Sequence, residues 1–129
     1  MAARTPEDLD RLFAEALNAG KLDALMALYE PEAALTPMPD KLVNGTAAIR
    51  EALAGFLAGK PTISLAPRLI AQSGDVAVVS AKWELAMTGP DGKPAKMTGQ
   101  SVEVVRRQAN GSWLFAIDLP FGVEGGAKP

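Results

Sequence analysis

Residues 16–37, ALNAGKLDALMALYEPEAALTP, carry the chain from helical to extended structure, and the reading of the fold turns on them. Before this stretch, Leu9, Leu12, Phe13, Ala16 and Leu17 fall at i, i+3, i+4, i+7 and i+8. That spacing predicts a helix over 5–19 with one apolar face. Thr5 is its candidate cap, Pro6 suits its first position, and Glu7 and Asp8 favour its positive end. Gly20 ends it. A shorter helix is predicted over 21–29, stopped by Pro31. Within LYEPEAALTPMP (28–39) the residues preceding prolines are driven out of the helical region, so 33–39 reads as extended. Tyr29 is read as a helix residue packed with Leu25 and Leu28, its hydroxyl reaching a polar partner. Glu30 and Glu32 are read as facing water.

Outward from there, LVNG (42–45) makes a second extended piece and a turn. GTAAIREALAGFLAG (45–59) makes a third helix, with Thr46 as cap and Ile49, Leu53, Phe56 and Leu57 inward. The remainder reads as four strands, at 62–74, 75–89, 93–108 and 112–122. The turns between them, SGD, PDGK and ANGS, contain Asp-Gly and Asn-Gly pairs that suit hairpins. Pro67 and Gly99 inside long strands suggest bulges and strong curvature. The expected class is therefore α+β. Three N-terminal helices would pack on a strongly curved antiparallel sheet, shaping a cone with an internal pocket. One domain over 1–129 is expected, with its core at about 5–122 and a loose tail over 123–129.

Composition removes several chemistries. The chain of 129 residues has no His and no Cys, so thiol nucleophiles, Cys/His zinc sites and His-based triads are excluded. No glycine-rich phosphate loop is present, and neither a metal nor a cofactor is expected. The net charge is −2 and the basic residues are scattered, so nucleic acid is not an expected partner. No apolar run approaches the length of a membrane helix, and MAARTPEDLD lacks the apolar segment of a secretory signal. A cytoplasmic location, away from membranes, is the expectation.

ALNAGKLDALMALYEPEAALTP followed by NGTAAIRE resembles the nuclear transport factor 2-like superfamily. The nearest branches in pattern are the SnoaL-like polyketide cyclases and the ketosteroid isomerases. GDVAVVSAKWEL, DGKPAKMTGQSVEVVRR and NGSWLFAIDLPFG extend the resemblance over about 6–122. It implies the cone fold and a homodimer formed through the outer face of the sheet. It does not fix an activity, because this fold carries isomerases, cyclases, hydrolases and non-catalytic modules. The isomerase site transfers poorly. Its tyrosine donor falls on Phe13, its aspartate base on Pro37 beside Thr36, and its protonated aspartate on Glu103 or Val104. Steroid isomerisation by that mechanism is not expected.

Most carboxylates, including Asp8, Asp10 and Asp23, are assigned to solvated helix faces and turns. Glu84 and Glu103 stand between two readings, cross-strand ion pairs or pocket groups. Asp118, in the apolar run FAIDLPFG, is the leading candidate for a catalytic or binding carboxylate, with Glu103 second. Phe13, Tyr29, Met38, Phe56, Trp83, Met87, Gln100 and Phe121 are the candidate pocket residues. The five Met suit an adaptable apolar cavity. The expected function is binding of a small hydrophobic molecule. The alternatives are acid–base chemistry on a small carbonyl compound and a dimerisation module without catalysis.

Overall fold

The structure, a computed structural model, describes residues 2–123. Of the tail expected over 123–129, all but Val123 lies outside the described residues. Three helices and six strands follow in the order α1 (Asp8–Asn18), α2 (Leu22–Met26), β1 (Tyr29–Met38), β2 (Lys41–Asn44), α3 (Thr46–Leu57), β3 (Thr62–Ser73), β4 (Val76–Thr88), β5 (Pro94–Arg107) and β6 (Trp113–Leu119). The class is α+β, as the periodicities predict.

The six strands form one open sheet in the order β2-β1-β6-β5-β4-β3. The four strands after α3 make the expected antiparallel meander. Two expectations need correction. A strand pair, β1 and β2, stands between α2 and α3, so the helices do not all precede the sheet. In addition, β1 runs parallel to β6, which makes the sheet mixed rather than wholly antiparallel. A parallel neighbour demands a long crossover, and the segment from β2 through β5 supplies it.

The corner also differs from its reading. The second helix ends at Met26, and Tyr29 opens β1 opposite Phe115. Pro31 lies within β1, in the interval where pairing with β6 shifts between Tyr29 and Ala34. An irregular interval tolerates a missing N–H, so proline does not end the strand there. Its carbonyl accepts the Thr46 hydroxyl at 3.3 Å, so Thr46 ties α3 to β1 and makes no side-chain cap. Thr5 is likewise no cap. The Asp8 carboxylate instead accepts the Arg4 and Thr5 amides, each at 3.1 Å. Glu32 is exposed, but Glu30 accepts from Arg106 (3.0 Å) and Gln108 (2.8 Å). The bulges fall elsewhere than expected. Pro67 and Gly99 keep regular register opposite Ala81 and Trp83, and the shifts lie at Leu69/Ala71 and Val104/Val105.

Helices cover one sheet face. Leu9, Leu17, Leu25, Ile49, Val79, Val105 and Phe115 are fully buried between the layers. Burial of this kind contributes about 1.5–3 kcal/mol per large aliphatic side chain. Asn18 fixes the end of α1 over β3. Its amide donates to the Ile63 carbonyl (2.9 Å) and accepts the Ile63 N–H (2.7 Å). The N-terminal half of α1 is thereby aimed across the sheet, toward β5 and β6.

Candidate functional site

Strand parity decides which side chains look inward. On β4, Val79, Ala81, Trp83 and Leu85 are buried while Lys82 and Glu84 are exposed. On β5, Ser101, Glu103 and Val105 are buried, and their neighbours Val102 and Val104 face the other side. The inward faces of β3–β6, together with α1, α3, β1 and β2, line a cavity of about 560 Å³ that is open on one side.

Its walls are apolar. Phe13, Tyr29, Met38, Phe56 and Trp83 line it, as do Met87 and Phe121. Gln100 does not. It is exposed on the opposite face, where its amide donates to Ser80 Oγ at 3.1 Å, and its assignment to the pocket is corrected. Even-numbered β5 positions point outward, so parity settles the point once the inward face is known. The same parity decides Glu84 and Glu103: the first is outside, the second inside.

Three carboxyl groups meet the cavity floor from different elements. Glu103 on β5 and Asp118 on β6 are direct partners across the strand pair. Asp10 enters from the first turn of α1. All three are nearly inaccessible, at 1%, 6% and 4% exposure respectively. Tyr29 donates its hydroxyl to Asp118 Oδ2 at 2.5 Å, and its ring packs on Phe115 with centroids 5.0 Å apart. The expected polar partner of Tyr29 is thus Asp118, although Tyr29 reaches it from a strand.

Asp10 was expected on a solvated face and stands corrected. Asp10, Phe13 and Leu17 are spaced i, i+3 and i+7, which turns the carboxyl onto the apolar face of α1. That spacing was the available signal. An acidic residue in a first turn has an ordinary reading at the helix dipole, and this masked it.

Burial dominates the protonation of the cluster. It raises the Glu103 carboxyl to about 11, reinforced by Asp10 and then by the charge of Asp118. It raises Asp118 to about 7, against the opposing pull of the Tyr29 hydroxyl. Asp10 is also raised by burial, with Glu103 drawing it back. Tyr29 is held well above its ordinary range by burial and then by Asp118. Treated as ions, neither Glu103 oxygen nor Asp10 Oδ2 has a hydrogen-bond donor. A proton on Glu103 turns the approach of these two carboxyls into a hydrogen bond. The proton belongs on Glu103 because Asp10 lies at the positive end of α1. The resulting site holds one neutral acid (Glu103), one carboxylate (Asp10) and one carboxyl poised near neutrality (Asp118).

Among the described residues, no group of three His, Cys, Asp or Glu side chains is placed to hold a metal ion. No helix among them is long and apolar enough to cross a membrane. Of the groups compared with the isomerase site, Phe13 and Pro37 do line the cavity but bring no acid or base. Glu103, not Val104, occupies the inward strand position.

This fold and cavity define a class. The chain belongs to the SnoaL-like domain family, whose model matches residues 9–114. Solved structures of similar fold include a nuclear transport factor 2-like superfamily protein from Salmonella enterica serovar Typhimurium, with 18% identity, a TM-score of 0.76, and coverage of 88% of this chain and 84% of that one. A ketosteroid isomerase-like protein from Erwinia carotovora atroseptica is 21% identical, with a TM-score of 0.73 and coverage of 87% and 88%. A candidate scytalone dehydratase from Novosphingobium aromaticivorans is 16% identical, with a TM-score of 0.76 and coverage of 87% and 77%. At these identities the likeness establishes the fold alone. No curated protein sequence matches the chain significantly.

Proposed function

We propose that this chain binds a small apolar molecule in the cavity between its helices and sheet. The observation carrying the reading is a cavity of about 560 Å³, walled by aromatic, Leu and Met side chains, with its ionisable groups gathered on the floor. This is the composition expected of a small-molecule site: apolar walls for affinity, a few polar groups for orientation. A filled, functionless interior would leave no such space. The test is calorimetric titration of 2-methylnaphthalene into the wild type and into Ala52→Phe, which fills the cavity from α3. Saturable binding to the wild type that the substitution abolishes supports the reading. Absent binding, or equal binding to both proteins, overturns it.

A second reading, proton transfer on the bound molecule, is favoured by Asp118. A carboxyl raised to about 7 and oriented by a tyrosine hydroxyl suits a general acid or base at neutral pH. The steroid isomerase mechanism is not proposed, because two of its three groups are replaced by Phe13 and Pro37. A homodimer through the outer sheet face is also part of the proposal. There, Val102, Val104, Leu119 and Ile117 come together in register, and Ile117 is 39% exposed.

A further inference from the structure

Exposure along the strands marks the open end of the cavity. On β5, Glu103 is 1% exposed and Met97 49%, and on β1 Tyr29 is 6% exposed and Met38 59%. On β4 the buried Trp83 and Leu85 give way to the half-buried Met87. All three strands put the floor at Glu103 and Tyr29 and the mouth at Met38, Met87 and Met97. Met97 and Glu103 are six residues apart on one strand, so the cavity is about 20 Å deep at ~3.3 Å per residue. Spread along that depth, 560 Å³ leaves a section on the order of 30 Å². The space is long and narrow, suited to a single chain or a flat ring entering end-on. Unbranched, pliable methionines at its mouth suit the passage of a flexible chain.

Hydrogen-bond donors decide where a polar head can rest. Tyr29 has committed its hydroxyl to Asp118, and the Trp83 N–H goes to the Pro120 carbonyl at 2.7 Å. The Ser101 hydroxyl is engaged with the Ala81 backbone (3.1 and 3.4 Å). Glu103 shares its proton with Asp10, and both of its oxygens are inaccessible. The floor therefore has no free donor. Lys41 is the one cation in the lining, and it makes no ion pair with another described residue. It is exposed at the mouth, on β2 close to Met38 and Pro39. A negatively charged head finds a partner only there, where it also keeps much of its water. A positively charged head at the mouth would be repelled by the same ammonium group.

We infer that the ligand is a straight-chain carboxylate, its hydrocarbon tail running down the cavity toward Phe115 and its head group held at the mouth by Lys41. This inference rests on the binding reading above and narrows it to one chemical class.

Calorimetric titrations of the intact protein at neutral pH separate the two claims. The probes are hexanoate, octanoate, decanoate, decan-1-ol and decylamine, with 2-methylnaphthalene as the probe of binding alone. Affinity is expected to rise about threefold to fourfold per methylene from hexanoate to decanoate, as each buries in the apolar walls. Decanoate is expected to bind about threefold more tightly than decan-1-ol and about tenfold more tightly than decylamine. Lys41→Gln should bring the decanoate-to-decanol ratio down toward one, and Lys41→Glu should reverse the order of decanoate and decylamine; circular dichroism verifies both folds. Decanol or decylamine binding as tightly as decanoate, or ratios unmoved by both substitutions, would overturn the carboxylate inference. Binding of 2-methylnaphthalene without binding of the carboxylates would overturn that inference and leave the binding reading standing. No binding by any probe would overturn both.

Discussion

Glu103 and Asp118 are adjacent across one strand pair yet differ in character: burial raises both, Asp10 reinforces the rise of Glu103 beyond the smaller opposing bond from Ser101, and the Tyr29 hydroxyl holds Asp118 back. Removing that bond by Tyr29→Phe should raise Asp118 further above about 7, since the bond favours the ionised form; carboxyl-carbon NMR titration reads the change. Glu103 has a consequence for stability. Its carboxyl is raised from 4.5 to about 11 on folding, so the folded state holds more protons across that interval. Its contribution to stability is therefore lost progressively as pH rises through it. Asp118 acts in the same direction between 3.8 and about 7. The protein should be more stable near pH 5 than near pH 8. Glu103→Gln should flatten this dependence and stabilise the fold at pH 8 by about 1 kcal/mol or more, as read by denaturant melts at both pH values. Asp118 and Glu103 were legible as candidates because apolar neighbours surround them in sequence. Asp10 was masked, although its i, i+3, i+7 spacing with Phe13 and Leu17 marks the inward face, because an acidic residue in a first turn has an ordinary reading at the helix dipole.

At the scale of elements, the cavity depends on how closely β4 and β5 approach at one point. Gly99 lies opposite Trp83, and a Cβ there would fall 2.3 Å from Trp83 Cζ2. The indole cannot readily retreat, because its N–H donates to the Pro120 carbonyl at 2.7 Å. Gly99→Ala should destabilise the fold by about 1–3 kcal/mol and displace the cavity wall, seen as a lowered melting temperature with altered tryptophan fluorescence. Gly99 thus serves close packing rather than the bulge its position suggested. The hairpin turns, the strand meander, α1 and α3 were all legible from local periodicity and turn chemistry. The β1–β6 parallel pairing was not, because it joins segments some eighty residues apart and local patterns carry no register between them. The length of α2 was misjudged for a related reason. Leu28 and Tyr29 suit a helix by spacing, but pairing of Tyr29 with Phe115 draws the chain into the sheet.

For the molecule as a whole, the proposed function gives the two sheet faces separate roles, the inner one for a ligand and the outer one for a second copy. Sedimentation should show a dimer, and Ile117→Arg on the outer face should yield a monomer that keeps its fold; a wild type that stays monomeric at high concentration would contradict the dimer. The inward face holds the central claim, which methionine methyl NMR tests most directly. Met38, Met87 and Met97 line the cavity, whereas Met26 on α2 does not. Titration of 2-methylnaphthalene into protein carrying labelled methionine methyl groups should shift Met38, Met87 and Met97 in a saturable manner and leave Met26 in place. Unmoved cavity methyls, or a shift confined to Met26, would contradict the account.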